Sequence, residues 1–237
     1  MWMSIVHNLP ACSTIALMNA VIVNRGAVEV GALAQDTVGR YFTHVAAMQV
    51  ARDERAEGLA PPVEAGQNVP VLRIPRRDGN HMIFWFNHYL RGNRDPAVAE
   101  EFDRTYLRGA LLTVADALGD NGYFGHCPEA EMVRHLRNGI GHKNRFTFHS
   151  RVIDPATGRL RHPANTFGQA AQQNAPRHEI DTHMQGTEVL WTWGGPDAIV
   201  DTLIALSLHL LRIGYGPVAP LNLQTLHAHD VQARQQP

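Results

Sequence analysis

The sequence predicts a mainly α-helical fold, a helical bundle with a small β-hairpin or sheet decoration, all 237 residues forming one domain. Three observations lead there. Apolar residues recur at helical spacing over several long stretches. Acid–proline and glycine–proline signals stand where two of those stretches begin. Proline-rich or alternating segments are confined to two regions, a loop or hairpin at 57–80 and a β-rich insertion at about 145–193.

The first helical stretch covers 13–56 and is read as two pieces hinged near Asn24-Arg25-Gly26. Ile15, Met18, Val21 and Ile22, then Leu33, Val38, Phe42, Val45 and Met48, mark its apolar face. Residues 57–80 contain Pro61-Pro62, Pro70 and Pro75 and end in Asp78-Gly79-Asn80, which suits a loop or small hairpin. The apolar, aromatic run 81–90 (HMIFWFNHYL) fits either strand or helix and is read as helix. Asp95-Pro96 supplies an N-cap acid and a proline at the first helical position. That helix is expected to run to about residue 118, with Val98, Phe102, Leu111, Val114, Ala115 and Leu118 inward and Gly119-Asp120-Asn121-Gly122 ending it.

Pro128, with Glu129 and Glu131, opens the next helix, whose Met132, Val133, Leu136 and Ile140 point inward, while His135 is expected to face solvent. Beyond 145 the pattern changes. Phe146, Phe148 and Val152 alternate, Asp154-Pro155-Ala156-Thr157-Gly158 makes a turn, and Val189-Leu190-Trp191-Thr192-Trp193 reads as strand with both tryptophans on one face. Gly195-Pro196-Asp197 caps a final helix through Ile213, striped by Ile199, Leu203, Leu206, Leu210 and Ile213. After Pro220 the chain becomes polar and is expected to fray.

Hydrophobic residues make up 44% and charged residues 18%, a globular balance that excludes a disordered chain. Net charge is −1 with histidine neutral, so a polyanion must be drawn by a local patch and not by the molecule as a whole. Two cysteines, Cys12 and Cys127, are too few for a disulfide scaffold and favour a reducing compartment. Met1 to Ala11 lacks a cationic leader, and the apolar run from Ile15 to Val23 is too short to span a bilayer. The expectation is a cytoplasmic protein with no membrane association.

The local patch lies at 132–153, which holds five Lys/Arg and three His but no acid, leaving sixteen Lys/Arg against 22 acids elsewhere. Within it stands Arg137-Asn138-Gly139-Ile140-Gly141-His142. In a helix Asn138 and His142 share a face, and Arg137 is long enough to reach it. Gly139 and Gly141 cost helix stability, roughly 1 kcal/mol each, and are read as leaving the backbone uncovered for a ligand or a second chain.

This pattern resembles the HEPN family, the higher-eukaryote and prokaryote nucleotide-binding domains: an arginine, four to six residues, then a histidine, commonly with a polar residue directly after the arginine. Here four residues separate Arg137 from His142, and Asn138 takes the polar place. The resemblance is sharp over about 132–145 and loose over the helices at 13–56, 96–118 and 196–213; region 145–193 departs from a plain HEPN bundle. It implies a HEPN-like domain acting as a metal-independent endoribonuclease of toxin or defence type. It also implies a homodimer that joins two motifs around one RNA cleft, and an antitoxin or other regulatory partner. No cofactor and no metal is expected.

RNA carries its own nucleophile, the 2′-hydroxyl. His142 would act as general base or acid, since free imidazole titrates near 6.5. Arg137 would hold the phosphate, with Asn138 orienting either group. Lys143, Asn144, Arg145 and Arg134 are candidate RNA contacts, or simply a solvated loop. The alternative function is a non-catalytic HEPN-like module that binds a nucleotide or protein partner.

Other motifs weigh less. Gly139-Ile140-Gly141 lacks the strand and third glycine of a dinucleotide loop. His126-Cys127 with His135 or His142 lacks the paired cysteines of a zinc site, and Cys127 has no base at fixed spacing. His178-Glu179-Ile180-Asp181-Thr182-His183 fits a cleft lining or an exposed turn equally well.

Overall fold

Helix α1 (Arg25–Arg52) starts where Asn24, in extended backbone, accepts a hydrogen bond from the Ala27 N–H at 3.1 Å. The start falls at the expected hinge. The computed structural model describes residues 22–63, 65–66, 68–166 and 178–216, so the piece at 13–21 and the polar tail lie outside the described residues.

The buried face of α1 is Ala27, Val30, Gly31, Ala34, Thr37, Val38 and Tyr41, whereas Phe42 and Val45, expected inward, are 53% and 40% exposed. The cause is the close approach of the last helix, α5 (Pro196–Tyr215). A Cβ added at Gly214 would stand 2.3 Å from Val28 Cγ2, and one at Gly31 would stand 3.0 Å from Leu211 Cγ. Small residues let the two antiparallel backbones meet, and the Val23 and Asn24 N–H groups donate to the Gly214 carbonyl at 2.8 and 3.1 Å.

A short 3₁₀ turn (Glu54–Leu59) leads to the hairpin of β1 (Val71–Pro75) and β2 (His81–Trp85), antiparallel in register Val71↔Trp85 to Pro75↔His81. Helix α2 (Phe86–Gly92) follows at once. The run 81–90 is thus strand and then helix, not one helix. The turn at Asp78-Gly79-Asn80, closed by Arg76 N–H to the Asn80 carbonyl at 2.8 Å, folds its first half back onto β1.

Asp95 caps α3 (Pro96–Asp120), its carboxylate accepting from the Ala97 N–H at 2.9 Å. The inner stripe runs through Ala99, Leu107, Ala110, Leu111, Val114, Ala115 and Leu118. Val98 and Phe102, expected inward, sit one position around from this stripe, about 100° away, and are 36% and 45% exposed. Helix α4 (Pro128–Gly141) buries Met132, Val133 and Leu136, and Ile140 packs partly against the core. His135 is also buried, 4% exposed and edge-on to Phe148, contrary to the expectation of a solvent-facing ring. Helices α1, α3, α4 and α5 enclose one core, with Leu111, Leu118, Met132, Leu136, Leu203, Leu206 and Leu210 inside it.

Region 145–193 is mostly irregular. Phe146 and Phe148 stack at 5.7 Å within the core, but the described pairing is limited to isolated bridges and two-residue strands, β3 (Asn165–Thr166) with β4 (His178–Glu179). The turn at 154–158 forms as expected, Gly158 N–H donating to the Asp154 carbonyl at 2.8 Å. The expected strand 189–193 does not form, because Trp191 adopts a left-handed conformation (φ 76°) and a Leu190↔Gly194 bridge closes a turn. The two tryptophans part company: Trp193 Nε1 donates to the Glu179 carbonyl, and the Arg104 guanidinium lies over the Trp191 ring. Helix α5 is apolar enough to cross a membrane by length and composition, yet Ile199, Leu203, Leu206 and Leu210 are buried in the bundle. The fold is mainly α with two small antiparallel two-stranded sheets.

Candidate functional site

The site grows from the way α4 ends. His142 closes the helix as its C-cap (φ −98°, ψ 49°), its N–H donating to the Asn138 and Gly139 carbonyls at 3.0 Å each. Lys143 and Asn144 then both take φ 60°, which turns the chain sharply, so that the Arg145 N–H returns to the Gly139 carbonyl at 3.0 Å.

This return explains Gly139. A Cβ there would lie 2.2 Å from Val189 Cγ2 and 3.2 Å from the Arg145 carbonyl oxygen. The glycine admits a segment of the chain itself, not a ligand, which corrects the sequence expectation for that position. Gly141 does face open space.

Asn144 is similarly engaged. Its Nδ2 donates to Glu188 Oε1 at 2.8 Å, its Oδ1 accepts from the Leu190 N–H at 3.2 Å, and its carbonyl accepts from the Val189 N–H at 2.9 Å. With both ends of the amide used, Asn144 fastens 188–190 to the end of α4 rather than offering itself to RNA. Arg145 donates to the Gly186 carbonyl at 2.7 Å and is otherwise exposed, and Lys143 is exposed. Arg134 is paired with Glu131 one turn back.

Arg137 and Asn138 line a cavity of about 490 Å³ between α3 and α4, together with Arg134, Asp116, Asp120 and Phe124. The Arg137 guanidinium meets Asp116 at 3.4 Å, both side chains half-exposed or more, a contact of a kind that contributes little in water. His142 lies outside that cavity lining. Arg137 and His142 are five positions apart, about 140° around a helix, and no hydrogen bond joins them within the chain.

What the fold brings to His142 instead is His149, the ring centroids 6.1 Å apart and edge-on, both residues exposed. In the sequence His149 is only one of three histidines in 132–153, and nothing in its spacing assigns it a role. Its proximity depends on the left-handed turn at 143–144, which no local pattern announces.

The start of α4 is a different environment. Glu131 is 1% exposed and burial pushes its carboxyl up, against the lowering influence of Arg134 and His162. His135, with Nε2 4.0 Å from Glu131 Oε2, is pushed down to about 4 by burial first and by Arg134 second, so it is neutral at neutral pH. Burial raises the Cys127 thiol to about 12. The described groups that can hold a metal together are Cys127, Glu129 and His209, at this end of the helix.

Comparison with known proteins found no match: no family model, no curated protein and no solved structure is similar to this chain.

Proposed function

We propose that the chain is an endoribonuclease that cleaves RNA by 2′-hydroxyl transesterification at the end of α4. The observation that carries this reading is the His142–His149 pair, two exposed imidazoles 6.1 Å apart in a segment without an acid. Cleavage needs one group to take the proton of the 2′-hydroxyl and another to protonate the departing 5′-oxygen. Of two neighbouring imidazoles, one can accept the first proton and the other donate the second. The 2′-oxygen attacks phosphorus, the P–O5′ bond breaks, and a 2′,3′-cyclic phosphate and a 5′-hydroxyl result.

Arg137, held only weakly by Asp116, is free to swing onto the non-bridging phosphate oxygens, where its charge counters that building in the transition state. Lys143 and Arg145 follow the flanking phosphates. The resemblance of Arg137-Asn138 and His142 to the HEPN motif supports the same chemistry. It adds a homodimer, in which the Arg137 of one copy serves the imidazoles of the other, and a toxin or defence role with an inhibitory partner protein. The test is incubation of the purified chain with labelled single-stranded RNA and no added divalent cation. Fragments ending in cyclic phosphate are expected, and intact RNA at stoichiometric protein rejects the reading.

A second reading rests on the cavity lined by Arg134, Arg137 and Asn138, which suits a non-catalytic module that binds a nucleotide. RNA or nucleotide retained without cleavage, and lost in Arg137→Ala, favours it.

A further inference from the structure

Cys127 is an odd residue to begin a helix. The N-cap favours Ser, Thr, Asp or Asn, whose oxygens accept from the first N–H groups, yet Cys127 occupies it in extended backbone, 5% exposed and with no side-chain capping bond. Two residues on, the half-buried Glu129 carboxylate meets the Cys127 thiol, and its Oε2 has no other hydrogen-bond partner among the described residues. A buried carboxylate oxygen in that state costs free energy unless something more meets it. Facing both is His209, from the apolar run of α5. The Cys127 Sγ, a Glu129 carboxylate oxygen and a His209 ring nitrogen all lie within 4.8 Å of one another.

We propose that Cys127, Glu129 and His209 bind one divalent transition metal ion, zinc by the chemistry of the donors, which ties the start of α4 to the middle of α5. A thiolate, an imidazole and a carboxylate form a borderline-soft set that suits zinc and excludes magnesium or calcium, which take oxygen ligands. Zinc bonds are about 2.0–2.3 Å long, so tetrahedral ligands stand roughly 3.3–3.8 Å apart; small rotamer changes bring three atoms already within 4.8 Å to that spacing. Binding converts the thiol to a metal thiolate and releases one proton to solvent, with no change of oxidation state. Water fills the fourth position. Helix α4 rises about 20 Å between Cys127 and His142, so this site is separate from the chemistry proposed at the other end. It also answers what the Glu129 oxygen and an unusual N-cap are for.

The test uses the full chain stripped of metal and titrated with Co²⁺, then Zn²⁺. One Co²⁺ per chain is expected, with a thiolate-to-cobalt charge-transfer band that Zn²⁺ abolishes. Cys127→Ser is expected to lose the band, and His209→Gln and Glu129→Gln to weaken Zn²⁺ binding at least tenfold. Glu129→Gln keeps the size of a partly exposed side chain, so it reports on binding even if the other variants misfold, and circular dichroism checks each fold. No charge transfer in the parent, a band that survives Cys127→Ser and so belongs to Cys12, or equal affinity in Glu129→Gln overturns the proposal. RNA cleavage is scored separately, so a failed metal site leaves the nuclease reading untouched.

Discussion

The two ends of α4 differ in almost every respect. From its N-cap to its middle, Cys127, Glu131 and His135 are buried, and burial shifts all three towards their neutral forms. At its end Arg137, His142, Lys143 and His149 stand in solvent, and Asp116, which lines the Arg137 cavity together with Asp120, holds Arg137 loosely. The same residue types thus do opposite work. Polar groups inside a dry contact fix how helices sit, whereas exposed cations with weak partners remain available to a ligand. A helix can be anchored at one terminus and reactive at the other because its hydrogen-bonded backbone joins the two rigidly.

The contrast breaks most visibly through activity. Arg137→Ala and His149→Ala are each expected to lower single-turnover RNA cleavage at least about 100-fold while leaving the circular dichroism spectrum and thermal midpoint unchanged. A comparable loss caused by unfolding would show in those same spectra and would place the residues on the structural side of the helix instead. On the dry side, Leu136→Ala is expected to cost about 2–5 kcal/mol by opening a cavity in a core where the side chain is fully buried, read as a lower urea midpoint.

Protonation sharpens the comparison. Free imidazole titrates near 6.5 and folded His135 at about 4, so between these values the unfolded chain binds the extra proton. Stability therefore falls as pH drops from 6.5 towards 4, by up to about 3 kcal/mol. Glu131 works the other way, since its raised value lets the folded chain hold a proton that the unfolded one has lost. The urea midpoint measured against pH in the parent and in His135→Gln separates them: the variant is expected to lose the acid-side decline. The smallest effect contrasts two glycines. Gly139→Ala must displace Val189 and is expected to cost about 1–3 kcal/mol, whereas Gly141→Ala, which meets nothing within 4 Å, is expected to be neutral or mildly stabilising in the same melts.

How far these features could be read from the chain depended on whether the signal was local. Asp95-Pro96 and Gly195-Pro196 marked helix starts correctly because capping acts within a few residues. The inward faces of α1 and α3 were misjudged because the large residues Phe42, Val45, Val98 and Phe102 carry the helical period on the outer side. Ala, Gly and Thr carry it where α5 presses closely. Trp191 reads as strand by composition but sits at φ 76°, held by Leu190↔Gly194 pairing and the Arg104 stack. Arg137 and Asn138 were legible as a cationic pair at the end of an apolar helix. His149 was not, since the 143–144 turn alone delivers it to His142, and Cys127 with His209 was not, since 81 intervening residues separate the pair in the chain.

The most direct measurement is the rate of RNA cleavage by His142→Ala beside the parent, with both proteins shown to be equally folded and the products resolved by their termini. A parent that yields 2′,3′-cyclic ends and a variant slowed at least about 100-fold are the expected results. A variant that cuts at the parental rate would contradict the reading that the imidazole at the end of α4 moves the proton.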